Sequence, residues 1–345
     1  MLVMEVEMQD FVKHPVEEQE KSLLELAGVS LAFWNLDGDL RLIKHRENAV
    51  YELNTTGEER FALRVHRAGY HSDRSLKSEL QWIEALNDYG VGVPGVIPTS
   101  DGKTFAKVST GSVPGERQVD LFAWVDGEQI GSIEDGLGDD SDAIKHIYKT
   151  IGRTAAKMHN QALQWDLPAD FSRHSWDVDG LVGDDPFWGR FWELKALTAQ
   201  QRDLIDRARE TVRQGLEAFG QPSDAYSLIH ADFVPENILV GGDKVQVIDF
   251  DDAGFGWLLF DLATALYFIQ DDPGYDIARS ALFEGYREVR PLANEELAQL
   301  PLFTAARSFT YLGWVHTRSE TETARELTPM LVEMCCQACR RLKQD

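Results

Sequence analysis

The chain predicts an α+β protein of two lobes, an antiparallel sheet lobe over residues 1–122 and a mainly helical lobe over residues 123–345. Three observations lead there. At 345 residues the chain exceeds the roughly 250–300 residues at which one hydrophobic core stops growing. Apolar and polar residues alternate over short runs in the first third, whereas apolar residues at helical spacing dominate after the acidic loop at 134–142. Strands gathered in one half and helices in the other mark a segregated α+β architecture rather than an alternating βαβ one.

The elements follow in order. Residues 39–66, DLRLIKHRENAVYELNTTGEERFALRVH, read as an antiparallel meander, punctuated by turn residues from Asn54 to Gly57. RSLKSELQWIEALNDYG then spaces Leu76, Leu80, Ile83 and Leu86 by four, three and three, one helix face that Gly90 stops. Strand-like pieces around an Asp101–Gly102 turn and in RQVDLFAWV complete a first lobe of mostly sheet with one prominent helix. An acidic loop, EDGLGDDSD at 134–142, leads into a helix containing IKHIYKTIGRTAAKMHNQ, and helical periodicity runs on to the C-terminus. One stretch departs from it. LIHADFVPENILVGGDKVQVIDFDDAGFG, residues 228–256, carries short strands at ILV and VQVIDF about a turn from Gly241 to Asp243.

Composition excludes several classes. With 43% hydrophobic and 27% charged residues the chain is globular, and the balance of 34 basic against 58 acidic residues gives a net charge of −24. Nucleic acid demands a basic stripe, so it is not an expected partner, and an anionic membrane is disfavoured on the same ground. A cationic substrate would be attracted, but acidic surfaces commonly serve only solubility, so the charge excludes partners rather than naming one. MLVMEVEMQDFVKHP has acids where a signal peptide needs bases, and nowhere do 18 apolar residues run uninterrupted, so a cytoplasmic location is expected. Cys335, Cys336 and Cys339 lie in the helical tail LVEMCCQACRRLKQD, where a lone C-x-x-C without a fourth ligand reads as ordinary helix thiols.

The chemistry concentrates in residues 228–256. His230, Asp232 and Asn237 fall within eight positions, an apolar strand follows, and the returning strand ends on Asp249, Asp251 and Asp252. Phosphoryl transfer to a hydroxyl needs a carboxylate near the attacking oxygen, a divalent metal across the phosphates and a further cation on the phosphate oxygens. Mg²⁺ takes hard oxygen ligands and keeps several waters, so one or two protein ligands suffice. Asp232 fits the base, and Asn237 with Asp249 fit the metal ligands, because the hairpin returns Asp249 beside the loop that carries the other two. Asp251 and Asp252 read either as helpers of the metal or as a solvated turn. His230 reads as a loop-holding hydrogen-bonder, since the base role falls to Asp232.

HADFVPEN followed by VIDFD resembles the H-x-D-x-x-x-x-N and I-D-F/W-D/E motifs of the aminoglycoside phosphotransferase and choline kinase superfamily, which has a protein-kinase-like fold. Most of the chain takes part, in order. RENAVYEL resembles the nucleotide-loop strand pair, FALRVHR the strand with the phosphate-binding cation, and SELQWIEAL the helix whose Glu pairs with it. QVDLFAWVDGE is similar to the hinge and GWLLFDLATAL to the helix after the metal loop. The resemblance implies an ATP- and Mg²⁺-dependent kinase with Asp232 as catalytic base, Asn237 and Asp249 as Mg²⁺ ligands, Arg64 gripping nucleotide phosphates, Glu79 bracing Arg64, and backbone groups of Ala123 and Trp124 meeting adenine.

Two departures stand out. The cation is Arg64 where many relatives use Lys, a variant that resembles the homoserine-kinase-like and stress-response-kinase-like branches; Arg forks onto two oxygens and is not interchangeable with Lys. The alternative is a solvated Arg64 with another Lys serving. No G-x-G-x-x-G is present, so KHRENAVYEL would cover the phosphates with side chains and amides. The acceptor implied is a hydroxyl of a small molecule of amino-alcohol, hydroxy-amino-acid or aminoglycoside type. A stress-response-type Ser/Thr protein kinase and a catalytically idle nucleotide-binding regulator are the rivals. Against the first, the stretch from Asp249 to Asp261 is too short for a protein-substrate platform; against the second, a pure binder has no use for Asp232. Residues 165–192 gather Trp165, Trp176, Trp188 and Trp192 among acids, and Trp188 with Trp192, four apart, read as a packed helix face or as part of a cradle for an ammonium group. His66, His71 and His146 show no metal-ligand spacing, and His159 reads as a capping or packing residue.

Overall fold

The predicted meander is part of a five-stranded antiparallel sheet of order β1-β2-β3-β5-β4, with β1 at Gly38–His45, β2 at Ala49–Thr55, β3 at Arg60–Val65, β4 at Ala106–Val108 and β5 at Arg117–Ala123. The computed structural model describes residues 11, 14–46, 48–132, 136–242 and 244–342. Parts of five sequence readings therefore fall outside the described residues: the acid-rich start of the chain, Glu47 of KHRENAVYEL, Glu134 and Asp135 of the acidic loop, Asp243 of the hairpin turn, and Lys343 to Asp345 of the helical tail. The chain divides into two units, Met1–Gly127 with Leu167–Ser172, and Glu128–Asp166 with Arg173–Asp345.

Among the described residues of the first unit, α-helices α1 (Val16–Ser30) and α2 (Asp73–Tyr89) accompany the sheet where the sequence suggested one prominent helix. α1 buries Leu23, Leu26 and Ala27 in the same core as Tyr51, Leu53, Leu63, Val65 and Leu121. α2 starts where the Ser72 side chain accepts from the Ser75 amide and stops at Gly90, whose φ of 87° only glycine adopts freely. Its buried face holds Leu76, Leu80, Ile83 and Leu86 and, among them, Glu79. A carboxylate on an apolar stripe must find a partner there.

The second unit is built on helices α3 (Ser141–Gln164), α4 (Val178–Val182), α5 (Ala199–Phe219), α6 (Leu258–Leu266), α7 (Tyr275–Arg287), α8 (Asn294–Leu297), α9 (Leu300–Thr317) and α10 (Glu322–Arg341). Two three-stranded sheets interrupt them: β6 (Glu128–Gln129), β9 (Ile238–Gly241) and β10 (Lys244–Val247) in the order β10-β9-β6, and β7 (Ser175–Trp176), β8 (Tyr226–Ile229) and β11 (Gly254–Trp257) in the order β7-β11-β8. Every residue of α6 is buried, so its one acid, Asp261, lies in the core. α3 and α7 approach closely through glycines: a Cβ on Gly152 would lie 2.0 Å from the Leu282 carbonyl oxygen, and one on Gly285 would lie 2.1 Å from that of Lys149. Cys335, Cys336 and Cys339 are buried on α10. No described helix is long and apolar enough to cross a membrane.

Trp188 and Trp192 do not share a helix face. Pro186 and Gly189 break that segment, which forms turns and a short 3-10 stretch at Phe191–Glu193.

Candidate active site

β8 delivers the chain to a loop at His230 whose backbone is fixed from below. The Asp261 carboxylate accepts from the His230 amide at 3.0 Å and the Ala231 amide at 2.8 Å. His159, on α3, donates to the same carboxylate at 3.1 Å through Nε2 and is met at Nδ1 by the Tyr286 hydroxyl at 2.9 Å. All three side chains are buried. This network holds Ala231 at φ 64°, a left-handed conformation that a residue with a Cβ adopts only under constraint.

His230 ties the loop to the returning strand. Its Nδ1 accepts from the Asp232 amide at 3.3 Å, and its Nε2 donates to the Ile248 carbonyl at 3.0 Å. The hydrogen-bonding role read for it from sequence is what its ring does.

Asp232 and Asn237 are in direct contact. Asn237 closes a 3-10 turn, Pro235–Asn237, and its Nδ2 donates to both the Asp232 carbonyl at 2.9 Å and the Asp232 Oδ2 at 3.0 Å. Because the amide nitrogen is spent on Asp232, the Asn237 side-chain oxygen is left as a hard ligand atom. Ile248 donates its amide to the Asn237 carbonyl at 2.9 Å, which leaves Asp249 emerging next to Asn237. Asp249 is exposed, with φ 66°. The oxygen donors of Asn237 and Asp249 suit Mg²⁺ better than a soft ion. Asp251 is buried, and the backbone of this loop is clamped by residues 173–176: Arg173 donates to the carbonyls of Asp251 and Ala253, and Trp176 Nε1 donates to that of Asp252 at 2.9 Å.

The other oxygen of Asp232 has a partner that sequence reasoning missed. Arg307, on α9, donates to Asp232 Oδ1 through Nη2 at 2.7 Å, and the arginine side chain is 0% exposed where that of Asp232 is 27% exposed. Burial works against the guanidinium, but Tyr311 and Asp232 outweigh it and hold its proton affinity above the ordinary value.

In the first unit the expected pair is present, with an addition. Arg64 Nη2 lies 2.7 Å from Glu79 Oε1, and the guanidinium also donates to Asp120 at 3.1 Å from Nε and 2.7 Å from Nη2. Asp120 faces Arg64 across the β3–β5 ladder, and His66 Nε2 donates to it at 2.9 Å. Burial would raise the Asp120 carboxyl, yet Arg64 and His66 hold it well below the usual carboxylate range. Arg64 is thus a buried residue rather than a solvated one. The Ala123 amide donates to the Gly95 carbonyl at 2.8 Å and that of Trp124 to Arg60 at 3.3 Å, so the groups of these residues left to meet a base are carbonyls.

Asp120, Asp261 and Arg307 are the residues that sequence reasoning passed over. Asp261 had a local signal, a lone acid in LLFDLATAL. The others are brought into place by strand register and by a helix 75 residues downstream of Asp232.

A family described as phosphotransferase enzymes matches residues 39–292. Amicoumacin kinase of Bacillus subtilis is 23% identical over 298 residues, 83% of this chain and 82% of that protein. Homoserine kinase of Rhizobium etli is 27% identical over 252 residues, 70% of each. Among solved structures, a microcompartment-associated aminopropanol kinase is 32% identical with a TM-score of 0.79 over 93% of this chain and 97% of that one. An amicoumacin kinase solved with AMP-PNP and Ca²⁺ has the same fold, with a TM-score of 0.73 at 18% identity, over 93% of each chain.

Proposed function

The chain belongs to the phosphotransferase enzyme family and moves a phosphoryl group to a hydroxyl of a small molecule, and from that premise we propose that Asp232 is its base and a small amino alcohol its acceptor. The observation that carries the reading is the Asp232 carboxylate itself, partly exposed and held at one oxygen by Arg307 and at the other by Asn237. A carboxylate fixed this way on a loop anchored by Asp261 is pre-oriented toward one acceptor hydroxyl.

The donor is ATP. As the acceptor oxygen bonds the γ-phosphorus and the bridging bond to the β-phosphate breaks, Asp232 takes the hydroxyl proton. Asn237, through its side-chain oxygen, and Asp249 would hold Mg²⁺, which when bound neutralises charge on the phosphates. In the first unit Arg64, held by Glu79 and Asp120, is the cation for the nucleotide phosphates, and the carbonyls at Ala123 and Trp124 are the groups for adenine. These roles follow from the residues' chemistry and from the motifs they occupy. A cytoplasmic location accords with the need for ATP.

The amino-alcohol reading is supported by the 32% identity to an aminopropanol kinase across nearly the whole chain and by a net charge of −24, which favours an ammonium-bearing acceptor. Homoserine is the second reading, favoured by the homoserine kinase of Rhizobium etli. It would bring a carboxylate to a site where the neighbouring cation, Arg307, is wholly buried. No protein-substrate platform is available between Asp249 and α6, because β11 follows within five residues and pairs with both β7 and β8.

The test is ADP release from Mg-ATP with aminopropanol, ethanolamine, choline, homoserine and aminoglycosides, alongside Asp232→Asn. We expect stimulation by a small amino alcohol, with turnover in the variant reduced by about 1,000-fold or more and nucleotide affinity within about twofold of the parent. Stimulation by homoserine alone would replace the acceptor, and a variant as fast as the parent would remove Asp232 from the chemistry.

A further inference from the structure

Arg307 occupies an unusual position for a charged residue. Its side chain is wholly buried, and aromatic rings surround it: the guanidinium carbon lies 4.1 Å from the centre of Tyr311, 5.1 Å from that of Trp188 and 5.6 Å from that of Phe260. One nitrogen, Nη2, makes both of its hydrogen bonds, to Asp232 Oδ1 and to the Tyr311 hydroxyl, each at 2.7 Å. Nε and Nη1 are buried without a hydrogen-bond partner among the described residues.

Such an arrangement is a poor device for stability. Desolvating a guanidinium costs more than one ion pair and a few ring contacts return, and an apolar side chain of similar volume in the same aromatic box would serve the fold as well or better. The charge is directed at one group, the partly exposed carboxylate that the proposed reaction uses. Asp232 is the carboxylate that the guanidinium hydrogen-bonds, with Asp252 acting on its charge from farther off, and Tyr311 shares the nitrogen that makes the bond. Asn237 holds the opposite oxygen of the same carboxylate.

We propose that Arg307 is a positioning residue for Asp232: it fixes the rotation of the carboxylate so that one lone pair faces the acceptor hydroxyl, and it does so without touching substrate. The cage of Trp188, Phe260 and Tyr311 gives it a rigid seat. A long, planar, permanently charged side chain suits this task, because it reaches from α9 to the loop while keeping its charge inside the protein.

The inference rests on Asp232 as the base and is separable from it. The experiment measures kcat, the KM for Mg-ATP and the unfolding midpoint for Arg307→Met, Arg307→Lys, Asp232→Asn and the double variant Asp232→Asn with Arg307→Met. Expected is a fall in kcat of about 100-fold for Arg307→Met, the scale of a misplaced catalytic group, with the KM for Mg-ATP within about twofold and an unfolding midpoint equal to or above that of the parent. Arg307→Lys should recover part of the lost kcat. In the double variant the Met change should add nothing, because its target is already disabled. Four results overturn the inference: wild-type kcat in Arg307→Met, losses that add in the double variant, no recovery with Lys, or an Arg307→Met protein that fails to fold, which would make the residue structural. An inactive Asp232→Asn beside an active Arg307→Met removes this inference alone, whereas an active Asp232→Asn removes the base.

Discussion

Arg64 answers to two carboxylates, and the second one, Asp120, sets how the first unit responds to acid. Asp120 is wholly buried between Arg64 and His66, and these two partners hold its carboxyl below the ordinary range despite burial. A carboxyl whose folded pKa is depressed contributes stability that is fully present above its unfolded value of about 3.9, and loses it as pH falls through the folded value. Asp120→Asn keeps the shape but removes the charge. We expect it to cost about 3 kcal/mol at pH 7, the scale for breaking a buried pair from one side. The variant should then lose less stability than the parent between about pH 4 and pH 2. Urea unfolding of both proteins at neutral and acid pH measures the gap; a gap unchanged with pH would mean that Asp120 binds protons alike in both states. Local spacing made Asp232, Asn237, Asp249 and Glu79 legible, since each lies in a motif or on a stripe a few residues long. Asp120 was not, because an acid in VDLF has meaning only once β5 is registered against β3.

At the scale of elements, the crossing of α3 and α7 shows what helical periodicity leaves out. Spacing makes a helix containing IKHIYKTIGRTAAKMHNQ legible, and in the structure it runs over Ser141–Gln164 with Gly152 inside it. Only the packed pair explains that glycine, since a side chain at Gly152 or Gly285 would meet backbone oxygens. Gly285→Ala gains about 1 kcal/mol of helix propensity and must then push a helix away, at about 1–3 kcal/mol. The strain should win. We expect a net loss of up to about 2 kcal/mol by denaturant unfolding, and a lower kcat, because the next residue, Tyr286, holds His159, which holds Asp261 beneath the His230–Asp232 loop. An unchanged midpoint would show that the helices can separate at no cost. Other elements were misread for definite reasons. α1 buries a narrow stripe in an acid-rich segment, too weak a signal to stand out. Trp188 and Trp192 carried a helical spacing in a segment that Pro186, before them, and Gly189, between them, keep from forming a helix, and the same Trp188 proved to be a wall for Arg307.

The whole molecule carries a net charge of −24, and under the proposed reaction its two substrates have opposite signs. A field of that sign draws an ammonium-bearing acceptor toward the protein and repels Mg-ATP, whose own charge is negative. Local groups such as Arg64 act at contact distance, whereas the summed field acts over a Debye length, about 30 Å at 0.01 M salt and about 8 Å at 0.15 M. Raising the salt therefore removes the long-range part and leaves the contacts. The two Michaelis constants should move in opposite directions: that for a cationic amino alcohol should rise by about threefold between these salt concentrations, and that for Mg-ATP should fall. A neutral diol used as a poor acceptor supplies the control, since its constant should hardly change. If both substrate constants rose together, salt would be acting on the fold or on the metal, and the acidic surface would be serving solubility alone. If the acceptor constant alone failed to move, the acceptor would carry no net positive charge, which is what a hydroxy amino acid with its balanced carboxylate would give.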